Sequence, residues 1–114
     1  MKDNHIQYIE FQATDFVQTK KFYGSVFGWT FTDYGDDYTA FENSGVSGGF
    51  TKVDSLTQGG GPLVVLFHQN LELARENIIK GGGIISKDIF SFPGGRRFHF
   101  TDPSNNELAI WSDK

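Results

Sequence analysis

The sequence contains no cysteine. No disulfide, thiolate nucleophile or cysteine-ligated zinc can form, and the absence fits a reducing compartment. A dense run of lysine or arginine is also lacking, and the 114 residues carry a formal net charge of −4. No surface is offered that could neutralise a row of phosphates, so nucleic acid is not an expected partner. Long apolar runs are missing too. The longest, residues 63–67, is far too short to span a bilayer, and Met1 to His5 form no apolar signal core. The expectation is a soluble, cytoplasmic protein with no membrane partner. Nucleophile motifs, a P-loop and a dinucleotide fingerprint are likewise absent. The glycines of QGGGP (Gln58 to Pro62) precede a strand pattern, so they supply no helix N-terminus to an anion.

Aromatic residues, in contrast, are abundant. Twelve Phe, four Tyr and two Trp exceed what the core of one small domain requires, so some are expected to line a cavity. A chain of this length fits a single domain with modest burial, which a homodimer would supplement.

Residues 6–13 alternate, placing Ile9, Phe11 and Ala13 on one face and Tyr8, Glu10 and Gln12 on the other. Asp15 is a candidate N-cap, with Gln18 three residues on, for a helix over 16–27 that Gly28 ends. Phe16, Thr19, Tyr23, Val26 and Phe27 give that helix its apolar stripe. Strands are predicted over 30–34, 38–42 and 46–53, separated by turn-like Gly35-Asp36-Asp37 and Asn43-Ser44-Gly45. After QGGGP the order starts again. A buried-looking strand covers 63–67, and a helix capped by Asn70 carries Leu71, Ala74 and Ile78 toward Gly81. Strands over 84–90, 96–101 and 107–112 follow. Both halves read βαβββ, an internal repeat of element order. The modules are 1–57 and 63–114, with 58–62 as linker. The last two strands form a hairpin through Asp102-Pro103-Ser104-Asn105-Asn106, where Pro103 presets φ and asparagine tolerates a left-handed site.

Phe22-Tyr23-Gly24-Ser25-Val26-Phe27-Gly28-Trp29 is similar to the FY…FGW helix end of the vicinal oxygen chelate superfamily, which includes glyoxalase I, bleomycin-resistance proteins and extradiol dioxygenases. Asp102 to Leu108 (DPSNNEL) resembles that family's DPxGN turn, with Asn105 where glycine is usual. The resemblance covers nearly the whole chain in order. It implies an α+β fold of two βαβββ modules whose curved mixed sheets form a cup for a ligand, with helices packed outside. It also implies a homodimer.

In metal-dependent relatives, cup-facing His, Gln or Glu side chains on four strands hold a divalent ion. The resemblance carries those positions to Tyr8, Gly49 (within Gly48-Gly49-Phe50), Val65 and Ala109. A phenol is a poor ligand and the other three offer none, so no metal cofactor is expected.

Other candidates are read from the residues. Glu10 shares a face with Tyr8 and Gln12, and a carboxylate desolvated among aromatics suits a general base; the alternative is an ion pair with Arg96 or Arg97. His99, mid-strand, is a second acid or base candidate, or simply a histidine on the sheet surface. His5 and His68 suit solvated or capping roles. Tyr8, Gln12, Phe50, Phe67, Glu107 and Trp111 are expected to line the ligand site, with Trp111 stacking on a planar ligand or sitting in a dimer core. The leading expectation is a protein that binds a small apolar or aromatic molecule, with sequestration of a toxic compound as one use. The alternatives are a glyoxalase-like lyase, isomerase or dioxygenase with an unusual metal-ligand set such as Glu10, His99 and Glu107, and a metal-free acid–base enzyme built on Glu10.

Overall fold

The computed structural model describes residues 2–57 and 61–114; residues 58–60, which hold most of the expected linker, lie outside the described residues. The chain divides into two compact units, one running to Leu56 and the other starting at Thr57. Each has one helix and a four-stranded mixed sheet in the order βαβββ, so the class is α+β.

In the first unit, β1 (Ile9–Ala13), α1 (Phe16–Phe27), β2 (Thr30–Asp33), β3 (Tyr38–Glu42) and β4 (Gly48–Lys52) build a sheet ordered β1-β4-β3-β2. β1 runs parallel to β4 and the other pairs are antiparallel. Helix α1 starts where Asp15 accepts a hydrogen bond from the Gln18 amide and ends where Gly28 takes the left-handed conformation at φ 76°. Both signals are local, so the helix bounds match those expected. β1 is shorter than its alternating pattern because its only ladder partner begins at Gly48, opposite Ile9. Ile6 is left exposed beyond the ladder.

The inner face of this sheet carries Phe11, Phe41 and Phe50, which meet Tyr23 from α1 and Trp29 just after it. Tyr23 stacks on Trp29 at 4.8 Å between centroids and lies 5.2 Å from Phe50. Phe22, absent from the expected stripe, is buried beside Tyr23. Much of the aromatic content therefore fills this core, where ring pairs each add about 0.5–1.5 kcal/mol beyond burial.

In the second unit, β5 (Val64–Phe67), α2 (Leu71–Lys80), β6 (Ile84–Phe92), β7 (Gly95–Thr101) and β8 (Glu107–Ser112) repeat the scheme as β5-β8-β7-β6, with β5 parallel to β8. Helix α2 buries Leu71, Ala74 and Ile78. Phe98, Phe100, Leu108 and Ile110 form the buried face of the sheet. Asn70 caps the helix through its side chain, and His68 accepts a hydrogen bond from the Asn70 amide at 2.9 Å, a capping role.

Two expectations for this unit are corrected. β5 is not a buried strand: among the described residues it stands at the edge of its sheet, beside β8, and Val65 and Phe67 are exposed. β6 and β7 reach further than expected because Pro93 and Gly94, at φ 115°, close them as a tight hairpin instead of a loop. Among the described residues no helix is long and apolar enough to cross a membrane.

Candidate functional site

Side chains alternate across each sheet, so the face not used by the helix can be read from the register. In the first unit that face carries Glu10 and Gln12 on β1, Gly49 and Thr51 on β4, and Tyr38 and Ala40 on β3, with Tyr8 just before β1. Tyr8 and Tyr38 hydrogen-bond hydroxyl to hydroxyl at 2.5 Å. A Cβ placed on Gly49 would lie 2.5 Å from the Tyr38 hydroxyl and 2.8 Å from the Thr39 carbonyl oxygen. The Tyr38 phenol therefore fills the space that a side chain at position 49 would need. Two adjacent glycines in a strand are the sequence signal of such a close approach.

Burial pushes the Tyr38 phenol well above the ordinary range for a tyrosine, and hydrogen bonds to Tyr8 and Glu10 add to the shift. The neutral phenol is thus favoured by folding. Its contribution to stability is complete below pH 10.0, the ordinary value, and is lost as pH rises through the folded value. In ultraviolet titration, Tyr38→Phe should remove no phenol from those that ionise in the ordinary tyrosine range. A step smaller by one phenol would mean that Tyr38 ionises normally.

The structure corrects two expectations here. Phe50 does not line an open face. It points to the helix side, is 0% exposed, and packs 5.3 Å from Phe11 and 5.7 Å from Phe41. Its β4 neighbour Gly49 takes the open side, and one step along a strand reverses the face. Glu10 is exposed instead of enclosed among aromatics, and its carboxylate acts on the Tyr38 phenol. Its proposed ion-pair partner Arg96 instead forks onto Glu72 at 2.5 and 3.2 Å.

In the second unit the corresponding face carries Val65 and Phe67 on β5, Glu107, Ala109 and Trp111 on β8, and Arg97, His99 and Thr101 on β7. His99 Nδ1 lies 3.1 Å from Glu107 Oε2, with the two side chains 12% and 23% exposed. An ionised carboxylate can only accept, so the arrangement puts a proton on Nδ1, and in the neutral imidazole Nε2 then carries the lone pair. Nε2 is buried and has no hydrogen-bond partner among the described residues. Phe67 and Trp111 meet edge to face at 5.3 Å, and Phe92 lies 6.5 Å from Trp111. Phe90 and His99 rings are 5.9 Å apart. His99, Glu107, Phe67 and Trp111 thus share one face of the sheet, and Arg97, Phe90 and Phe92, not among the expected residues, stand on it too. Arg97 could have been found by parity, standing two residues from His99 on one strand.

The positions to which the resemblance carries metal ligands bear a phenol, no side chain, an isopropyl group and a methyl group, at Tyr8, Gly49, Val65 and Ala109. That donor set does not fit a divalent ion. Among the described residues no three His, Asp or Glu side chains are grouped so as to hold one.

Paired βαβββ units, each with a mixed sheet covered on one face by its helix, define the glyoxalase type of α+β fold. The family model of the glyoxalase/bleomycin resistance protein/dioxygenase superfamily matches residues 5–110, and the chain belongs to that superfamily. Solved structures with the same fold include a glyoxalase-related enzyme from Fulvimarina pelagi. It is 17% identical over 96% of this chain and 88% of its own, with a TM-score of 0.80. The genomically encoded fosfomycin resistance protein FosX of Listeria monocytogenes is 18% identical over 97% of this chain and 94% of its own, with a TM-score of 0.82. A glyoxalase/bleomycin resistance protein/dioxygenase family enzyme from Burkholderia phytofirmans is 17% identical over 95% and 98%, with a TM-score of 0.80. No curated protein is matched in sequence.

Proposed function

We propose that this chain binds a small molecule with an apolar or aromatic body on its open sheet surface, without the catalytic metal that metal-dependent relatives use. One observation carries the reading. At Gly49 the Tyr38 phenol takes up the room a ligand side chain would need, so restoring a ligand there requires Tyr38 to move. The exposed and half-buried rings of Phe67, Phe90, Phe92 and Trp111 support an aromatic or apolar ligand, since stacking uses area instead of ionic bonds. After exposure to nickel, zinc and manganese followed by dialysis, the purified protein is expected to retain no stoichiometric metal by elemental analysis. One bound ion per chain would overturn the reading. Trp111→Ala should weaken ligand binding about tenfold, the order of one lost stacking contact with its burial. A dimer lost with affinity intact would move Trp111 to a subunit interface.

The His99–Glu107 pair favours a second reading, a glyoxalase-like lyase or isomerase that moves a proton at His99 Nε2. Turnover of an identified ligand that is lost in Glu107→Gln while affinity stays would select it. Homodimerisation in the cytoplasm completes the proposal. It is supported by apolar side chains such as Ile84 and Val65 that stand exposed in one chain, and light scattering should give twice 12.8 kDa.

A further inference from the structure

The chain has three arginines, and two of them hold carboxylates. Arg75 forks onto Asp88 at 2.9 and 3.0 Å, and Arg96 onto Glu72. Arg97 has no ion pair among the described residues, and its Nε is buried without a hydrogen-bond partner. In a chain with fourteen acidic and ten basic residues, an arginine left without an acid is conspicuous. What it has is rings: its guanidinium lies 5.3 Å from the centroid of Phe90 and 5.7 Å from that of Phe92. Lys87 stands over the same Phe90 ring at 4.4 Å. Cations are drawn to ring faces, and rings fix a guanidinium without consuming its hydrogen-bond donors.

The backbone produces this convergence. Between the pairs Lys87↔His99 and Phe90↔Arg97, β6 advances three residues while β7 advances two. The extra residue is a bulge, and it turns Phe90 to the face that Lys87, Arg97 and His99 already occupy. Bulges commonly re-aim a side chain in this way.

Two buried nitrogens on that face lack partners among the described residues, and their needs are opposite. Arg97 Nε–H is a donor that requires an acceptor. In the neutral ring, with Glu107 beside Nδ1, His99 Nε2 offers a lone pair that requires a donor. They belong to residues two apart on β7 and so lie on the same side of the sheet. We propose that this face binds a hydroxyaryl carboxylate. The carboxylate pairs with the Arg97 guanidinium, the hydroxyl donates to His99 Nε2, and the ring lies along Trp111 and Phe92. A planar carboxylate matches the planar fork of an arginine, and Lys87 adds positive potential. The inference rests on the small-molecule reading above and names the ligand class.

Calorimetric titration of the full chain with 3-hydroxybenzoate, 3-hydroxybenzamide and benzoate tests it. The hydroxybenzoate should bind tightest, with the amide and benzoate each about tenfold weaker, the order of one hydrogen bond to a charged or buried group. Arg97→Gln should erase the preference for carboxylate over amide, and His99→Phe the preference for hydroxybenzoate over benzoate, each leaving the other preference in place. Circular dichroism and Tm verify that the variants fold. Arg75→Gln, on the helix side, should leave both preferences unchanged. Equal affinity for the three probes would overturn the inference and leave the small-molecule reading standing. Binding of none at millimolar concentration would also overturn it, and metal analysis would remain the separate test of the reading beneath. Unchanged preferences in Arg97→Gln would remove Arg97 from the site.

Discussion

Phe50→Ala should destabilise the first unit by about 3–5 kcal/mol, the cost of removing a buried aromatic ring. Set against a total folding stability of about 5–15 kcal/mol, that is a large share. The ring is 0% exposed and sits among Phe11, Tyr23, Phe31 and Phe41, with centroids at 5.3, 5.2, 6.5 and 5.7 Å. Each neighbour is held by a different element, β1, α1, β2 or β3, so no single side-chain movement can fill the void. Phe50→Leu keeps much of the volume and should cost less, about 1–2 kcal/mol. The measurement is the urea midpoint of each variant beside its affinity for an aromatic probe. A midpoint near that of the native chain with probe binding lost would return Phe50 to a ligand-binding face and contradict its packing against Phe11, Tyr23 and Phe41.

That Phe50 stands in the core, when the sequence placed it on the open face, shows which features the chain writes locally. Helix α1 is legible to the residue because Asp15 and Gly28 act within one turn of its ends. The DPSNN turn is legible for the same reason, and Asn105 takes the left-handed site at φ 75° in place of glycine. Strand limits are not local. β1 begins only where β4 begins to offer partners, at Ile9 opposite Gly48, whatever its own alternation. On β4 the two residues before Phe50 are Gly48 and Gly49, which have no side chains to reveal parity, so the face of Phe50 depends on the register with β1 and β3. The bulge before Phe90 defeats counting in another way, because an inserted residue reverses every later assignment on β6. The gathering of Lys87, Arg97 and His99 around one ring was therefore beyond a reading of periodicity. The His99–Glu107 pair was within reach, since both were assigned to strands of the same hairpin.

Asp102→Ala is expected to cost about 3 kcal/mol or more. Hydrogen bonds to a charged acceptor contribute about 1.5–3 kcal/mol each and do not add fully. Asp102 is almost completely buried, and its carboxylate accepts from the Ser104 amide, the Asn106 amide and the Asn106 side chain, each at 2.9 Å. Alanine would leave two backbone N–H groups without their acceptor in a turn that already holds Asn105 left-handed. Asp102→Asn retains an acceptor oxygen and should cost about half as much. The effect should reach beyond the turn. It joins β7 to β8 and sets the pairs Thr101↔Glu107 and His99↔Ala109, which bring the Glu107 carboxylate to His99 Nδ1. In Asp102→Ala, chemical denaturation should show the lower midpoint, and the imidazole resonances of His99 should shift toward those of a Glu107→Gln variant. If the midpoint falls but the His99 resonances stay in place, the cross-strand contacts of β7 and β8 hold the register by themselves. The turn would then contribute stability alone.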